Sequence, residues 1–310
     1  MKILFTGTSS FTGYWLIREL VKNGHHVYAI CQKNLLQYEG IRKKRLECLQ
    51  SICDIRLECS VGSKAFFDLI QSESSWDLFC HHAAQTRDYK SHQFDYVEAL
   101  SNNTLHLPDA LKLLQSRGCN RILLTGSAFE PGEGGTTESR GVSPYGLSKG
   151  LTFQVFKYFA QTYDLKLGKF VIPNPFGPYE EARFTTYLMN RWLEKKTAIV
   201  NTPAYVRDNI HVDLLAKDYQ SFANSLSSEP GFVIRRPSGY VETQGEFTRR
   251  FAREMSQRLS IVCPFELAEQ TEFLEPLTCI NTDRPNYRNL DWDEKAAWDA
   301  LANYYQGIRT

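Results

Sequence analysis

Short apolar runs alternate with amphipathic stretches through the first half of the chain. The apolar runs predict strands at residues 2–5, 26–30, 54–58, 78–81, 121–124 and 169–172, and the amphipathic stretches predict helices at 13–23, 64–71, 103–117 and 145–163. Strands that alternate with helices are typical of βαβ units, so the pattern predicts an α/β fold with a doubly wound parallel sheet. Ligands of such sheets bind beyond the carboxyl ends of the strands.

The pattern changes after residue 173. Prolines at 173, 175, 178 and 203 interrupt the alternation, and the last third mixes short strands with helices predicted at 245–259 and 293–305. We therefore predict a first domain of residues 1–173, to which the chain returns around 209–236. A smaller C-terminal α/β domain, of residues 174–208 and 237–310, is expected to bind substrate at the ligand edge of the sheet.

The composition is that of an ordinary globular protein, with 42% hydrophobic and 23% charged residues. The formal net charge of +1 creates no overall field for nucleic acid or an anionic membrane, and no apolar run is long enough to span a bilayer. The eight cysteines have no metal-ligand spacing. We therefore expect reduced thiols, no metal site and a cytoplasmic location.

The first predicted strand is joined to the first predicted helix by the segment TGTSSFTG. Within it, Gly7 and Gly13 can form the tight turn and the close helix packing that a dinucleotide pyrophosphate requires. Phe11 and Thr12 begin the helix whose amides would face the phosphates. Ser10 takes the middle position, where glycine is usual. An ordinary strand–helix turn is the alternative, but the position after the first strand favours a dinucleotide site and a Rossmann-type sheet.

The end of the second predicted strand has no carboxylate to bind the ribose hydroxyls of NAD. Cys31 takes that position, and Lys33 is close enough in sequence to meet the 2′-phosphate of NADP. A basic run at residues 42–45 follows, although such a run is more often a solvated helix face. The sequence therefore favours NADP(H) as the cofactor, with NAD(H) as the alternative.

Two further segments contain residue types suited to proton and hydride transfer. Ser127 follows the fifth predicted strand, and Tyr145 and Lys149 are four residues apart at the start of a predicted helix, so they share one helical face. An ammonium group beside a phenol lowers the tyrosine pKa towards neutrality, which suits a general acid or base. A tyrosine and a lysine at this spacing are common. Here they follow the turn at residues 6–13, which we call the phosphate turn, and a serine at the end of a strand. This order indicates a nicotinamide-dependent oxidoreductase.

These segments together resemble the extended short-chain dehydrogenase/reductase family of nucleotide-sugar epimerases, dehydratases and reductases. Residues 77–84, DLFCHHAA, are similar to the family's fourth-strand segment. Residues 174–178, NPFGP, are similar to its Asn-x-Tyr-Gly-Pro, and residues 205–213, YVRDNIHVD, resemble its Arg-Asp-x-Ile-His-Val segment. The resemblance covers most of the chain.

The resemblance implies a role for each matching residue. The catalytic residues would be Ser127, Tyr145 and Lys149. The cofactor would be bound by Gly7, Ser10, Phe11, Thr12, Gly13, Lys33, Ala83, Ala84, Asn103, Tyr145, Lys149 and Pro173. The substrate, a nucleoside-diphosphate sugar, would be bound by Thr86, Ser127, Asn174 and Arg207, with Arg207 at a phosphate of the nucleotide.

Three interpretations concern residues outside the catalytic segments. Arg207 and Asp208 are alternatively a surface ion pair. His211 is interpreted as a structural, hydrogen-bonded histidine. The glycine-rich loop at residues 131–135 follows the fifth strand, where a loop could cover a ligand.

Departures from the family pattern reduce the range of reactions that the resemblance implies. Ala128 and Phe129 stand where the family's 4,6-dehydratases have an Asp-Glu pair, and Ala128 also replaces the cysteine of members that epimerise beside the ketone. Ser10 replaces a glycine of the family pattern. Cys31 and Ser60 replace acidic residues that NAD-retaining members usually keep, which favours a cofactor that exchanges.

The expected reaction is therefore reduction of a 4-keto-6-deoxy sugar nucleotide, with Tyr145 as the general acid. The alternatives are a nucleotide-sugar 4-epimerase with retained NAD and a non-catalytic dinucleotide-sensing protein. Family members often dimerise through two helices per subunit, which correspond here to residues 103–117 and 145–163. The second of these is rich in large apolar residues, so a homodimer is expected.

Overall fold

The computed structural model of the chain describes residues 1–135 and 142–309. The strands are β1 Lys2–Phe5, β2 His26–Ile30, β3 Asp54–Arg56, β4 Leu78–His81, β5 Arg121–Ser127, β6 Lys166–Ile172, β7 Asn174–Phe176, β8 Ala198–Val200, β9 Val206–His211, β10 Gly231–Arg235, β11 Tyr240–Thr243, β12 Phe265–Leu267 and β13 Thr278–Cys279. The helices are α1 Phe11–Lys22, α2 Gly40–Gln50, α3 Lys64–Ser72, α4 Tyr96–Asn103, α5 Leu107–Ser116, α6 Pro144–Thr162, α7 Phe184–Leu193, α8 Val212–Ser225, α9 Gln244–Leu259 and α10 Glu294–Arg309.

Seven parallel strands form the main sheet in the order β10-β6-β5-β4-β1-β2-β3. The chain begins at β1 and builds outwards in both directions, so the strand order reverses between β1 and β4. A crevice opens at such a reversal, beyond the carboxyl ends of the two strands. The predicted α/β fold with a doubly wound, Rossmann-type parallel sheet is confirmed.

Alternate side chains of each central strand enter two separate cores. Ile3 and Phe5 of β1 pack on one face of the sheet with Tyr219 of α8. Leu4 points to the other face and packs with Phe79 of β4 and Phe156 of α6. Because both faces are covered by helices, consecutive residues of the central strands, such as Ile3, Leu4 and Phe5, are apolar and buried.

The chain between residues 96 and 117 forms two helices, so the prediction of a single helix at 103–117 is wrong. Helix α4 ends at Asn103 with Thr104 as its C-cap, and His106 has a left-handed backbone with φ of 51°. Pro108 lies in the first turn of α5, where its missing N–H costs nothing but where it would break a continuing helix. Asn103 therefore ends a helix instead of beginning one.

The basic run at 42–45 lies in α2, and its interpretation as a solvated face is wrong at Arg45. The Arg45 side chain is fully buried, and its guanidinium donates to Glu181 Oε1 at 2.5 Å. Arg42 approaches the same carboxylate at 3.5 Å. Burial lowers the pKa of Arg45, and the Glu181 carboxylate opposes this effect. The two arginines therefore share a protein carboxylate.

A second group of strands surrounds β9. Strands β7 and β13 pair with it in parallel, and β11 pairs with its other edge antiparallel. Phe176, Phe247, Phe251 and Trp298 form the centre of a third core beneath this group. Strand β10 joins β6 at the edge of the main sheet. The division into domains at 1–173, 174–208, 209–236 and 237–310 stays a prediction.

Among residues 1–135 and 142–309, no helix has the length and apolar character needed to cross a membrane.

Candidate active site

The turn after β1 requires glycine at two positions. Gly7 has φ of +83°, and a Cβ there would lie 2.8 Å from the backbone nitrogen of Ala83. A Cβ on Gly13 would overlap the carbonyl oxygen of Gly7. The first strand, the first helix and the segment after β4 therefore approach each other without intervening side chains. This geometry fits the close backbone approach that a dinucleotide pyrophosphate requires.

Ser10 caps the N-terminus of α1. Its Oγ accepts from the amide of Gly13 at 3.0 Å and donates to the carbonyl of Gly7 at 2.9 Å. The amides of Phe11 and Thr12 lie in the first turn, where helix geometry provides no intrahelical acceptor. They stand at the positive end of the helix dipole, which favours an anion. The hydroxyl of Ser10 is directed at the protein, so the residues of the turn still fit a bound diphosphate.

His82 connects this turn to the strand that carries Ser127. Its Nε2 lies 3.1 Å from Ser10 Oγ and 3.0 Å from Thr12 Oγ1, and its Nδ1 lies 2.9 Å from Thr125 Oγ1. Burial lowers the pKa of His82 to about 3, and the nearby Lys149 ammonium acts in the same direction. His82 is thus neutral and joins both sides of the crevice. This role of His82 was not predicted from the sequence, although a polar residue directly before Ala83 is its signal.

The tip of β2 is covered by the protein's own side chains. Cys31 is buried against Tyr38, whose hydroxyl accepts from the amide of Lys33 at 3.4 Å. Burial raises the pKa of the Cys31 thiol to about 11, so this position carries no negative charge near neutral pH. The Lys33 side chain is exposed.

Lys149 and Ser127 lie at the carboxyl end of β5. The Lys149 ammonium is buried and donates to the carbonyl oxygen of Thr125 at 2.6 Å. The pKa of Lys149 is lowered to about 8, mainly by burial. The Glu130 carboxylate opposes this shift, and Lys169 adds to it. The hydroxyl oxygen of Ser127 accepts from the amide of Phe129 at 3.2 Å. This contact leaves the hydroxyl proton available to another acceptor.

Tyr145 opens α6 and is partly buried under the loop that follows β4. The rings of Tyr89 and Phe94 meet it edge-on at centroid distances of 5.5 and 5.9 Å. Burial raises the pKa of Tyr145, and the Glu130 carboxylate raises it further. The expectation that Lys149 lowers this pKa towards neutrality is therefore not met in this structure. Burial is the largest influence on this pKa, and the Lys149 ammonium is directed at the backbone.

The other predicted cofactor residues surround the same crevice. The amide of Ala83 donates to Thr6 Oγ1 at 2.8 Å, and Ala84 and Pro173 are partly buried. Asn103 is buried, donates to Thr152 Oγ1 at 3.2 Å and accepts from the amide of Gln85 at 3.1 Å. Its amide group therefore holds α4, α6 and the loop after β4 together.

The predicted substrate residues other than Ser127 lie in the loop after β4 and in the second sheet. Thr86 is exposed in the loop after β4, and Asn174 begins β7, where it pairs with Asn209 of β9. Arg207, also on β9, has a side chain only 5% exposed. Asn174 and Arg207 thus lie on two paired strands of the second sheet.

The guanidinium of Arg207 already has partners in the protein. It donates to the carbonyl oxygens of Pro276 and Leu277 at 3.1 and 3.2 Å, and to Glu275 Oε2 at 2.8 Å. Its Cζ lies 4.3 Å from the centre of the Tyr205 ring. A cleft of about 350 Å³ adjoins this ion pair and is lined by Tyr205, Glu275 and further residues of 269–274. Sequence reasoning missed Glu275 because it lies far from Arg207 along the chain.

Asp208 and His211 have structural partners. The Asp208 carboxylate is buried and accepts from the amides of Gly239 and Asn281 at 2.7 and 3.0 Å. It faces away from Arg207 because neighbouring residues of a strand point to opposite sides, so the surface ion pair with Arg207 is wrong. His211 Nδ1 accepts from the amide of Asp213 at 3.2 Å and caps α8.

The described part of the loop at 131–135 packs against the second sheet. The carbonyl of Gly134 accepts from the amide of Ile280 at 2.9 Å. Glu133 is buried and forms ion pairs with Lys169 at 2.9 Å and Arg236 at 2.6 Å. This stretch is therefore anchored to the protein.

Comparisons with known proteins agree with this architecture. The model of the NAD dependent epimerase/dehydratase family matches residues 3–223. The UDP-glucose 4-epimerase of Thermotoga maritima, solved with UDP-glucose, has a TM-score of 0.73 at 18% identity over 100% of both chains. The UDP-glucuronic acid 4-epimerase of Bacillus cereus, with UDP-glucuronic acid and NAD, has a TM-score of 0.75 at 15% identity, covering 99% of this chain and 100% of that one.

A third similar structure is the UDP-glucose 4-epimerase of Thermus thermophilus in complex with NAD, with a TM-score of 0.69 at 17% identity over 99% of both chains. At these identities the likeness concerns the fold. Comparison with proteins of curated function gives no match. The family model spans most of the sequence, and the resemblance to nucleotide-sugar enzymes is confirmed. This chain belongs to the NAD-dependent epimerase/dehydratase family.

Proposed function

We propose that this protein is a nucleotide-sugar 4-epimerase that retains NAD. The observation that carries the proposal is the meeting of two features at one edge of the sheet. The phosphate turn and the group formed by Ser127, Tyr145 and Lys149 are joined there through His82 and Thr125. The whole chain shares its fold with 4-epimerases solved with UDP sugars and NAD.

The choice of NAD over NADP follows from the charges near β2. Arg42 and Arg45 share the Glu181 carboxylate, and Lys33 is exposed beside the buried Tyr38. A 2′-phosphate would therefore meet exposed lysines of this region, Lys33 among them, rather than either arginine. Such a contact is weak because exposed ion pairs contribute about 0–1 kcal/mol.

The residues have distinct roles in the proposed reaction. The amides of Phe11 and Thr12 would bind the pyrophosphate of the cofactor, with Gly7 and Gly13 leaving space for it. Bound NAD would supply reversible hydride transfer at C4 of the sugar, without net consumption of the cofactor. Tyr145 would exchange the proton of the C4 oxygen, and Ser127 would hold that oxygen by its hydroxyl.

The proposed substrate is a nucleoside-diphosphate sugar bound between the two sheets. Arg207 would meet the diphosphate with its planar guanidinium, which binds phosphate oxygens in pairs. For this contact the substrate must displace the Glu275 carboxylate, since that group now occupies one edge of the guanidinium. Asn174 and Thr86 would contact the sugar side of the ligand.

A reductase of keto-sugar nucleotides is the second candidate, and one observation favours it. Burial and Glu130 raise the pKa of Tyr145, so the side chain is a neutral phenol. A phenol can donate a proton to a keto oxygen at once, whereas removing a proton from a hydroxyl needs the phenolate. Cys31 in place of a ribose-binding acid also suits a cofactor that exchanges.

The cofactor content of the purified protein separates the two candidates. Denaturation should release close to one NAD per chain, identified by absorbance and mass. An empty protein that binds NADPH more tightly than NADH would reverse the order in favour of the reductase. Tyr145→Phe should keep the NAD and lose roughly 10²–10⁴-fold in turnover, whereas Tyr158→Phe, on the same helix but exposed, should leave turnover unchanged. Bound NAD without turnover in the wild type and in both variants would favour a non-catalytic dinucleotide-sensing protein.

A further inference from the structure

A cluster of four charged residues, three of them buried, lies behind Ser127. We call Glu130, Glu133, Lys169 and Arg236 the Glu130 cluster. Lys169 Nζ lies 2.7 Å from Glu130 Oε2 and 2.9 Å from Glu133 Oε1, and Arg236 lies 2.6 Å from Glu133 Oε2. The side chains of Glu130, Glu133 and Lys169 are at most 5% exposed. The cluster contains two acids and two bases, so its charges balance.

Stability alone does not account for this cluster. Removing two charges from water costs several kcal/mol per ion, and apolar residues of similar volume in their place are often neutral or stabilising. The backbone nevertheless makes space for the pair. A Cβ on Gly126 would lie 2.7 Å from Lys169 Cε and 3.0 Å from Glu130 Oε1. The end of β5 is therefore shaped around Glu130 and Lys169.

The pair reaches the active site in two ways. Glu130 Oε1 accepts from the amide of Ser127 at 2.7 Å, which fixes the backbone from which the serine hydroxyl projects. The two charges also act on the Lys149 ammonium with opposite signs. The Glu130 carboxylate raises the pKa of Lys149, and the Lys169 ammonium lowers it.

We propose that Glu130 and Lys169 are positioning residues of the reaction, which hold Ser127 in place and together set the charge state of Lys149. This inference rests on the proposed oxidoreductase function of the same site. Neither residue touches the substrate oxygen. Both act through Ser127 and Lys149. Glu130 acts by its hydrogen bond and by its charge, and Lys169 acts by balancing that charge.

Other charged and titratable groups also surround Lys149 and Tyr145, and they must remain unsubstituted in a test. The groups that interact with Lys149 are Glu130 and Lys169 from the end of β5 and from β6, and His81 and His82 from the end of β4. The groups that interact with Tyr145 are Glu130, Tyr89 of the loop after β4, and Arg183 at the start of α7.

The test measures the titration of Lys149 directly in the purified protein. The chain is labelled with [ε-¹³C]lysine, and the Lys149 resonance is assigned by its absence in Lys149→Met. Glu130→Gln should lower the pKa of Lys149, because the group that raises it is neutralised, and Lys169→Met should raise it. Each shift should be about one pH unit. A purely structural role would not produce shifts of opposite sign.

Activity provides a second readout. The high-pH limb of the kcat profile should move to lower pH in Glu130→Gln and to higher pH in Lys169→Met, with little change in the KM of the sugar nucleotide. Shifts in the same direction, or none in either folded variant, would overturn the inference. A wild-type protein without epimerase or reductase activity would refute the proposed function instead, while the titration of Lys149 would still decide the role of the pair.

A single substitution leaves one buried charge without its partner, so the single variants could fail to fold. The double variant Glu130→Gln/Lys169→Met keeps the Glu133–Arg236 ion pair and removes both charges that act on Lys149. Because Glu130 has the larger influence of the two, the double variant should still lower the pKa of Lys149, by less than one unit. An unchanged or raised pKa in the folded double variant would overturn the inference by itself.

Discussion

Arg207 forms an ion pair with Glu275, an acidic residue 68 positions further along the chain. The arginine is buried, whereas the Glu275 side chain is 51% exposed. A diphosphate that binds Arg207 competes with this carboxylate. Part of its binding free energy is therefore used to replace an interaction that the free protein already has.

Glu275→Gln should tighten the binding of UDP, because the competing charge is removed while the shape of the side chain is kept. A half-exposed ion pair contributes up to about 1 kcal/mol, which corresponds to at most about a fivefold gain in affinity. Isothermal titration calorimetry of wild type and variant measures it. Glu272→Gln is the matched control, since Glu272 lines the same cleft. Equal effects of the two variants, or weaker binding by Glu275→Gln, would contradict the competition.

At the scale of one element, the N-terminus of α1 depends on Ser10 both for its cap and for its link to His82. The hydroxyl satisfies the Gly13 amide and touches the imidazole. Glycine at this position would lose the cap but would leave more space for a diphosphate. Stability and cofactor affinity should therefore respond differently to substitution.

Ser10→Ala should lower the free energy of unfolding by about 0.5–2 kcal/mol, whereas Ser10→Gly should cost only a few tenths of a kcal/mol. NAD should bind Ser10→Gly at least as tightly as wild type, since the Cβ nearest the phosphate turn is removed. Urea unfolding and titration with NAD check the two effects. A larger loss of stability in the glycine variant would contradict the capping role.

The elements show which parts of the structure local sequence determines. The strands at 2–5, 26–30 and 78–81 were predictable to the residue because short, mainly apolar runs that alternate with amphipathic helical stretches favour strands covered on both faces. The break between α4 and α5 had a signal in Pro108, but the left-handed His106 that separates the helices had none. The burial of Arg45 was not predictable, because Glu181 comes from a distant segment.

The candidate site likewise contains residues that can be recognised from the local sequence and contacts that depend on tertiary packing. Ser127, Tyr145 and Lys149 are recognisable by type and spacing, and the structure brings the end of β5 and the start of α6 together. The direction of the Lys149 ammonium, towards the Thr125 carbonyl, depends on tertiary packing. The pairing of Glu130, which follows β5, with Lys169 of β6 also depends on tertiary packing. The same holds for the contact between His82 and the phosphate turn.

At the scale of the whole molecule, buried ionisable groups determine how stability changes with pH. Burial lowers the pKa of His81, His82 and His211 to about 3 from 6.5. Between these values the unfolded chain binds more protons, so these groups reduce stability as the pH falls from 6.5. Burial raises the pKa of Glu180 from 4.5 to about 7. Between these values the folded protein binds more protons at Glu180, so this group offsets the effect of one of the three histidines on stability.

The free energy of unfolding should therefore decrease between pH 6.5 and 5. His211→Asn should make the decrease less steep by up to about 1.4 kcal/mol per pH unit, because one titrating group is removed. Asparagine can still cap α8 through its side-chain oxygen. Urea unfolding at several pH values measures both slopes. Equal slopes for wild type and variant would contradict the buried, neutral state of His211.

The surface of α4 and α6 carries exposed apolar side chains, including Val97 at 60% and Tyr158 at 64% exposure. We propose this surface as the contact of a homodimer. Light scattering should give about twice the 35.7 kDa of one chain at micromolar concentration. Val97→Glu/Tyr158→Glu should give monomers, whereas Val262→Glu, also exposed but in another part of the molecule, should not. A monomeric wild type would contradict the proposal.

The most direct test of the proposed function is an NMR assay with UDP sugars and no added nicotinamide. The purified protein should invert C4 of a UDP hexose and reach the same equilibrium mixture from either epimer, with no net oxidation or reduction. The Tyr145→Phe variant should not do so at a comparable rate. If no nucleotide sugar is inverted, but 4-keto sugar nucleotides are reduced with equal consumption of NADPH, the epimerase account is contradicted and the reductase takes its place.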